Sequence, residues 1–170
     1  MKGTIDLTDS DGFVCGGATI RVDFPNRIVV GDQSHTIPGL ELSAYAEVWT
    51  RSDWCCVAGL RSNWLAVVHP GDGDVKIVGP IARLDLGGSY DPGGLEHIEF
   101  IDLGDEDVLV INEVAVARVT RDGSLSWQSV HDDLTARFVG LEGSVVWFES
   151  ETDRFGFGVQ RGEPRFSTSM

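Results

Sequence analysis

The amino-acid sequence predicts an all-β fold, either an antiparallel sandwich or a rolled, barrel-like sheet, with little or no helix. Apolar residues recur with a period of two or in short runs, and almost never at the spacing of a helix face. The 21 glycines fall between those runs, where tight turns join short strands. One sequence pattern, which we call the repeated phrase, also occurs twice, and this repeat predicts how the strands are organised.

The repeated phrase reads LAVVHPGDGDVKI at 65–77 and AVARVTRDGSLSW at 115–127. Asp-Gly in each copy suits a hairpin turn, because glycine adopts positive φ without strain and aspartate tolerates it. Each copy therefore predicts the last two strands of a three-strand antiparallel meander, and a looser third set closes on Arg161-Gly162. The predicted strand sets are 54–59, 64–69 and 74–79; 108–112, 114–120 and 124–128; and 144–149, 155–160 and 164–167.

Two or three repeated three-strand meanders resemble the blades of a β-propeller, but a closed propeller needs at least about four blades. We therefore predict a single all-β domain over 1–170. Two sub-units, 1–86 and 95–170, are predicted on either side of a Gly-rich hinge at 87–94. A homodimer that completes a partial propeller is left open. The segment 132–138 is a short helical candidate, and a loop is the alternative.

The chain is strongly acidic, with 27 acidic and 13 basic residues and a formal net charge of −14. Nucleic-acid phosphates and anionic membrane surfaces repel such a chain, so we expect neither as a partner. No stretch reaches the roughly 18 apolar residues of a transmembrane helix, and the first residues do not resemble a signal peptide. These observations predict a cytoplasmic protein, in which Cys55 and Cys56 of the apolar run WCCVAG are reduced core side chains. With Cys15 the count of cysteines is odd, which is a poor disulfide framework.

The strongest local anomaly is a window between Arg83 and Arg118 that holds nine acids and no lysine or arginine. A surface of one sign attracts a protein of the opposite sign. We therefore predict a protein–protein interaction module that binds a basic partner. Small acidic inhibitors of basic nuclease toxins are similar to it, in charge and size only. The residues predicted to contact the partner are Asp102, Asp105, Glu106, Asp107, Glu96, Glu99 and Trp64.

The sequence contains no motif that assigns a catalytic residue, and we expect no cofactor and no metal ion. A nucleophile elbow, a P-loop and a complete dinucleotide fingerprint are all missing from the sequence. His131 precedes Asp132 and Asp133, which we expect to raise its pKa. A hydrolase or isomerase with a His or carboxylate site is therefore a second hypothesis, and it predicts a pocket that holds His131 or His97. A sugar-binding or Ca²⁺-binding β-module is a third.

Overall fold

The structure is a computed structural model of the chain. The residues it describes are 2–6, 12–23, 27–37, 45–59, 64–81, 98–104, 106–112, 114–133 and 135–167. Within these segments the chain forms 17 strands and no helix, arranged in four antiparallel sheets. The all-β prediction is therefore confirmed. Over the same segments, no helix is long and apolar enough to cross a membrane.

The chain divides into two compact units. The first consists of Met1–Ile81 with Arg121–Ser124, and the second of Ala82–Thr120 with Leu125–Met170. Each unit contains two of the four sheets, and the inner faces of those two sheets share a core. The predicted hinge at 87–94 lies outside the described residues, so the hinge and the predicted sub-unit boundaries stay predictions.

The first unit is built from a five-stranded and a four-stranded sheet, both antiparallel. The five-stranded sheet contains, in spatial order, β1 (Lys2–Asp6), β6 (Tyr45–Thr50), β7 (Cys55–Gly59), β8 (Leu65–His69) and β9 (Asp74–Val78). The four-stranded sheet contains β2 (Phe13–Cys15), β3 (Ala18–Asp23), β4 (Arg27–Val30) and β5 (Gln33–Thr36). Both sheets are meanders, except that β1 pairs with the outer edge of β6.

The core of the first unit lies between these two sheets and consists of small aliphatic and thiol side chains. Ile20 and Ile28 reach it from the four-stranded sheet, and Val48 and Val57 reach it from the five-stranded sheet. Strand β7 is buried on both faces. This burial explains why its sequence is a continuous apolar run and not an alternating one.

The second unit is built from two four-stranded antiparallel meanders. The first meander contains β10 (Glu99–Asp102), β11 (Asp107–Ile111), β12 (Ala115–Thr120) and β13 (Leu125–Val130). The second contains β14 (Arg137–Glu142), β15 (Val145–Glu149), β16 (Arg154–Gly158) and β17 (Pro164–Phe166). Leu109 and Val116 of one sheet share a core with Val146 and Phe148 of the other. Each unit therefore has the two-layer arrangement of a sandwich.

The three meanders predicted from the sequence are confirmed as strand sets β7–β9, β11–β13 and β15–β17. Each has one further strand at its N-terminal edge. The predicted turn glycines Gly73, Gly123 and Gly162 all have positive φ, at 68°, 79° and 69°. Of the two alternatives for 132–138, the loop is confirmed over the described residues 132–133 and 135–136, and Arg137 begins β14.

The two copies of the repeated phrase contact each other within the first unit. The turn Arg121–Ser124, which joins β12 to β13, accepts hydrogen bonds at its main chain from side chains of the first copy. His69 Nε2 lies 2.7 Å from the Arg121 carbonyl oxygen, and Lys76 Nζ donates to the Asp122 carbonyl oxygen at 2.7 Å. The Arg121 guanidinium also pairs with Asp53. The second Asp-Gly turn therefore completes the first unit.

Candidate functional site

A row of phenylalanines crosses the inner face of the β14–β17 sheet. Phe138, Phe148, Phe155 and Phe166 lie opposite one another on adjacent strands. The rings of Phe148 and Phe155 are nearly parallel, with centroids 5.7 Å apart. The row starts in the core, where Phe148 is 1% exposed, and ends at the sheet edge, where Phe166 is 76% exposed. The aromatic layer of the second unit therefore reaches the surface at β17.

A cleft of about 470 Å³ lies beside this aromatic edge. Its lining residues come from the end of β13 and the loop after it, from β16, and from β17. The segments concerned are 130–133, 153–157 and 164–167. We call this feature the His131 cleft. Its volume lies within the range of about 300–1,000 Å³ that is typical of small-ligand sites.

The His131 ring lies on an aromatic floor. Its centroid is 4.8 Å from that of Phe148, 5.1 Å from Phe155 and 6.5 Å from Phe157. The main-chain N–H of His131 donates to the Val114 carbonyl oxygen at 2.9 Å. This bond holds His131, the residue after β13, against the residue that precedes β12. Both ring nitrogens are buried, and neither has a hydrogen-bond partner among the described residues.

The electrostatic surroundings of His131 differ from the sequence expectation. Burial lowers its pKa below the ordinary value of 6.5, and this effect outweighs the opposing attraction of the Asp133 and Asp132 carboxylates. The neighbouring aspartates do favour the charged form, as expected, but the pKa of His131 is lowered overall because loss of hydration penalises the charged imidazolium more. His131 is neutral at pH 7, with one donor and one acceptor nitrogen.

Three carboxylates stand at the mouth of the His131 cleft, on Asp132, Asp133 and Asp153. The Asp133 Oδ1 atom accepts hydrogen bonds from the Thr135 main-chain N–H at 2.9 Å and from the Thr135 hydroxyl at 2.7 Å. These bonds, together with one from the Ser150 side chain, lower the pKa of Asp133. The Ser150 hydroxyl also bonds the Asp153 main chain, at 3.2 Å to its nitrogen. Ser150 therefore connects two of the three acidic residues.

The cleft also has two arginines, and each pairs with a glutamate that is not part of the lining. Arg154 donates to Glu142 Oε1 at 2.5 Å, and its guanidinium lies over the Trp147 ring, 4.9 Å from the ring centroid. Arg165 donates to Glu163 Oε1 at 2.7 Å. These pairs neutralise the arginines, so the three aspartates give the mouth a negative charge.

The predicted acidic residues occupy different environments in the second unit. Asp107 is largely buried, and its carboxylate pairs with Arg118 Nε at 2.6 Å. Asp102 is exposed and accepts a hydrogen bond from the Gly104 main-chain N–H at 2.9 Å. Glu106 is exposed and has a φ of 73°, an unusual conformation for a residue other than glycine. Asp107 therefore has a structural ion pair, whereas Asp102 and Glu106 are exposed.

The other predicted residues are more scattered. Glu99 is half-buried at the start of β10, opposite Ile111. Trp64 belongs to the first unit, where it packs, partly buried, against the core. Asp105 and Glu96 lie outside the described residues. The partner-binding role of all these residues stays a prediction.

The cysteines are core residues, as expected for Cys55 and Cys56 from the apolar run that contains them. Cys15, Cys55 and Cys56 are buried and unpaired by disulfides. A hydrogen bond from the Cys55 thiol lowers the pKa of Cys15, and this same bond, with burial, raises the pKa of Cys55. In the part of the chain that the structure describes, no group of three or more His, Cys, Asp or Glu residues is arranged to hold a metal ion.

The His131 cleft was only partly visible in the sequence. The triplet His131-Asp132-Asp133 indicated a candidate, but nothing linked it to Phe155, Phe157 or the residues of β17. The available signal was the period-two aromatic pattern at 155 and 157, which places both rings on one face of a strand. Such a pattern is typical of ordinary core strands as well.

Comparison with known proteins adds no relative to this description. No protein-family model matches the chain, and no curated protein matches it. The function is therefore inferred from the residues of the chain and their geometry.

Proposed function

We propose that this chain is a cytoplasmic, acidic interaction protein that binds a basic protein partner, and that the partner docks at the mouth of the His131 cleft. The observation that carries this proposal is the grouping of Asp132, Asp133 and Asp153 around one apolar cleft. The net charge of −14 favours the same class of partner, because it attracts basic proteins at long range. Three free thiols are consistent with a reducing compartment.

This proposal keeps the partner class predicted from the sequence and changes the contact surface. The Asp107 carboxylate is already paired with Arg118. The mouth of the cleft combines exposed apolar surface with unneutralised charge, since Val130 is 53% exposed and Phe166 is 76% exposed beside the aspartates. Interfaces obtain most of their affinity from such apolar centres, while surrounding charges give specificity and fast association.

The test is affinity capture of the tagged full-length chain from its own cells, at low and then moderate salt, with bound proteins identified by mass spectrometry. Any basic protein found is then purified, and its Kd is measured against three double variants. The first, Asp132→Lys with Asp153→Lys, reverses the mouth. The second, Asp102→Lys with Glu106→Lys, reverses the exposed part of the loop predicted from the sequence. The control, Asp72→Lys with Asp74→Lys, reverses two exposed charges of the first unit.

We expect the mouth variant to weaken binding by about tenfold more than the control, because like charges then face each other at contact distance. Equal weakening in all three variants would mean that only the overall charge matters, and the proposed docking site would be wrong. Weakening confined to the second variant would move the site to the 102–106 loop. An empty capture at both salts would remove the interaction function.

A second candidate function is acid–base catalysis by His131, and one observation favours it. A neutral imidazole and three carboxylates belong to one cleft, and both residue types act in acid–base catalysis. The test is turnover of ester, glycoside and epimerisable substrates by the wild type and by His131→Gln. Turnover that disappears in the variant and rises with pH through the pKa of His131 would support catalysis, and absence of turnover would remove it.

A further inference from the structure

We propose that the His131 cleft is an arginine-binding site, which receives one arginine side chain presented by the basic partner. This inference rests on the function proposed above and names the group that the partner inserts. It follows from three properties of the cleft: its aromatic surfaces, its acidic mouth, and the pairing of each lining arginine with a glutamate. Each property restricts the chemistry of the occupant.

The aromatic surfaces favour a flat group. Phe155 is half-buried on the floor, and Phe166 is exposed at the edge, on the same face of the sheet and directly opposite it. The faces of aromatic rings carry partial negative charge, so a planar cation stacks on them favourably. A guanidinium is planar and weakly hydrated, and it loses less on leaving water than a compact ammonium does.

The mouth favours a donor with several N–H groups and no acceptor. Asp133 and Asp153 are joined through Ser150, and Asp132 is exposed beside them. A carboxylate has about four lone-pair sites, so the bonds from Thr135 do not exhaust Asp133. A guanidinium carries five N–H donors in a fixed fork, and it can bond two carboxylates at once.

The two arginines that line the cleft are bonded elsewhere, so neither of them is the guanidinium that we expect in the cleft. Arg154 is bonded to Glu142 and lies over Trp147, and Arg165 is bonded to Glu163. The neutral imidazole of His131 adds no positive charge at pH 7, so a cationic occupant meets no repulsion from the floor. The volume of about 470 Å³ admits a long side chain together with part of its main chain.

The edge of β17 argues against a different docking mode, in which the partner adds a strand to the sheet. Two main-chain hydrogen bonds join the segments of β16 and β17: the Gly158 N–H donates to the Glu163 carbonyl, and the Ser167 N–H donates to the Arg154 carbonyl. In this antiparallel register the main-chain groups of Pro164 and Phe166 point away from β16. Proline has no N–H to donate, and a proline on an edge strand blocks pairing. The partner therefore contacts side chains.

The experiment titrates the full-length protein with three tripeptides, followed by NMR of the His131 ring and of the main-chain amides at 130–133, 153–157 and 164–167. The peptides are acetyl-Gly-Arg-Gly-amide, its citrulline counterpart, which has the same shape without charge, and its lysine counterpart. We expect the arginine peptide to shift the cleft signals with a Kd on the order of 1 mM. We expect the citrulline peptide to leave them unchanged and the lysine peptide to bind at least about threefold more weakly.

Two variants locate the binding. Phe166→Ala removes the exposed ring, and Asp133→Asn removes one mouth charge while keeping the acceptor for Thr135. Each is expected to weaken arginine binding by about tenfold, which corresponds to about 1.4 kcal/mol, because the first removes a stacking surface and the second a charge-assisted hydrogen bond. The matched controls are Val14→Ala, an exposed apolar side chain of the first unit, and Asp72→Asn, an exposed charge there; neither is expected to change binding.

The outcomes separate this inference from the proposed function. Equal binding of the citrulline peptide, shifts confined to other residues, or no shift at about 20 mM arginine peptide would overturn the arginine site. If a captured basic protein binds the Phe166→Ala and Asp133→Asn variants with unchanged affinity, the arginine site is also overturned, but the interaction function is not. Arginine binding in the cleft, combined with an empty capture, would support the site and overturn the protein partner.

Discussion

The carboxylate of Asp107 pairs with Arg118 on the neighbouring strand at 2.6 Å, and the two side chains are only 16% and 11% exposed. Arg118 also donates to the Val159 carbonyl oxygen at 3.3 Å, so the pair connects both sheets of the second unit. Removing one member of a buried pair leaves the other charge without compensation. This pair therefore stabilises the fold, whereas a contact of Asp107 with a partner stays a prediction.

Neutralising Asp107 should consequently destabilise the protein. We expect Asp107→Asn to lower the free energy of unfolding by about 3 kcal/mol, because the Arg118 charge stays buried. Urea unfolding of the variant measures this change. The control is Asp102→Asn, an exposed acid of the same sheet, for which we expect a change within about 0.5 kcal/mol. Equal effects in the two variants would contradict a structural role for Asp107.

His131 should give the stability of the protein a specific pH dependence. In the unfolded chain a histidine takes up a proton near pH 6.5, whereas burial keeps the pKa of folded His131 below that value. The unfolded state then binds more protons, so the free energy of unfolding falls as the pH drops from about 6.5 toward the folded pKa. The charged side chains that line the same cleft are Asp132, Asp133, Asp153, Arg154 and Arg165.

Urea unfolding between pH 7.5 and 5.5 checks this expectation. The slope of stability against pH should be smaller in His131→Gln than in the wild type, since the amide side chain does not titrate. The other three histidines are present in both proteins, so the difference between the slopes reports His131 together with its effect on the pKa of Asp133. Identical slopes would show that His131 titrates alike in the folded and unfolded states.

At the scale of the sheet, the phenylalanine row has one buried end and one exposed end. Phe148 lies in the core of the second unit, whereas Phe166 closes the row at the exposed edge of β17. We expect Phe148→Ala to cost about 3–5 kcal/mol, because it leaves a cavity among the rings around it. Phe166→Ala should change stability by less than about 0.5 kcal/mol. Thermal and urea unfolding of both variants measure the contrast, and a large loss from Phe166→Ala would mean that this ring is a core residue.

A comparison of the individual strands shows how much of the fold the sequence predicts. The meanders with buried central strands were predicted because their turn residues and apolar runs are strong local signals, as at Asp72-Gly73 and Asp122-Gly123. The strands that were not predicted are short or largely exposed. Strand β5 reads QSHT, and strand β14 is exposed or half-buried along its whole length. Pairing with a neighbour gives these strands their conformation, and a local pattern does not encode that pairing.

The site was harder to predict than the fold for a related reason. A count of charges in the chain found the acids around 102–107, but it could not detect that Arg118 neutralises one of them from an adjacent strand. The His131 cleft needs three separate segments of the chain, 130–133, 153–157 and 164–167, to meet. The burial that lowers the pKa of His131 depends on those same segments, so the neighbouring aspartates alone did not predict the net direction.

At the scale of the whole molecule, the charge of −14 predicts opposite effects of salt on stability and on binding. Added salt screens repulsion among the acids, so the Tm should rise as NaCl increases from about 0.01 to 0.15 M. Attraction to a basic partner is screened by the same ions, so its Kd should also rise over that range. Differential scanning calorimetry and titration of the partner measure the two trends. A Tm that falls with salt would mean that attractive ion pairs outweigh the repulsion.

The place of the Arg121–Ser124 turn in the first unit has a consequence for protein synthesis. The ribosome makes Met1–Ile81 first, yet the main chain that bonds His69 and Lys76 follows only after 82–120 have been added. At about 5–20 residues per second this interval lasts roughly 2 to 8 s. During that time the nascent first unit lacks the Arg121–Ser124 turn. A translational pause within 82–120 would therefore prolong the exposure of this incomplete unit to chaperones and proteases.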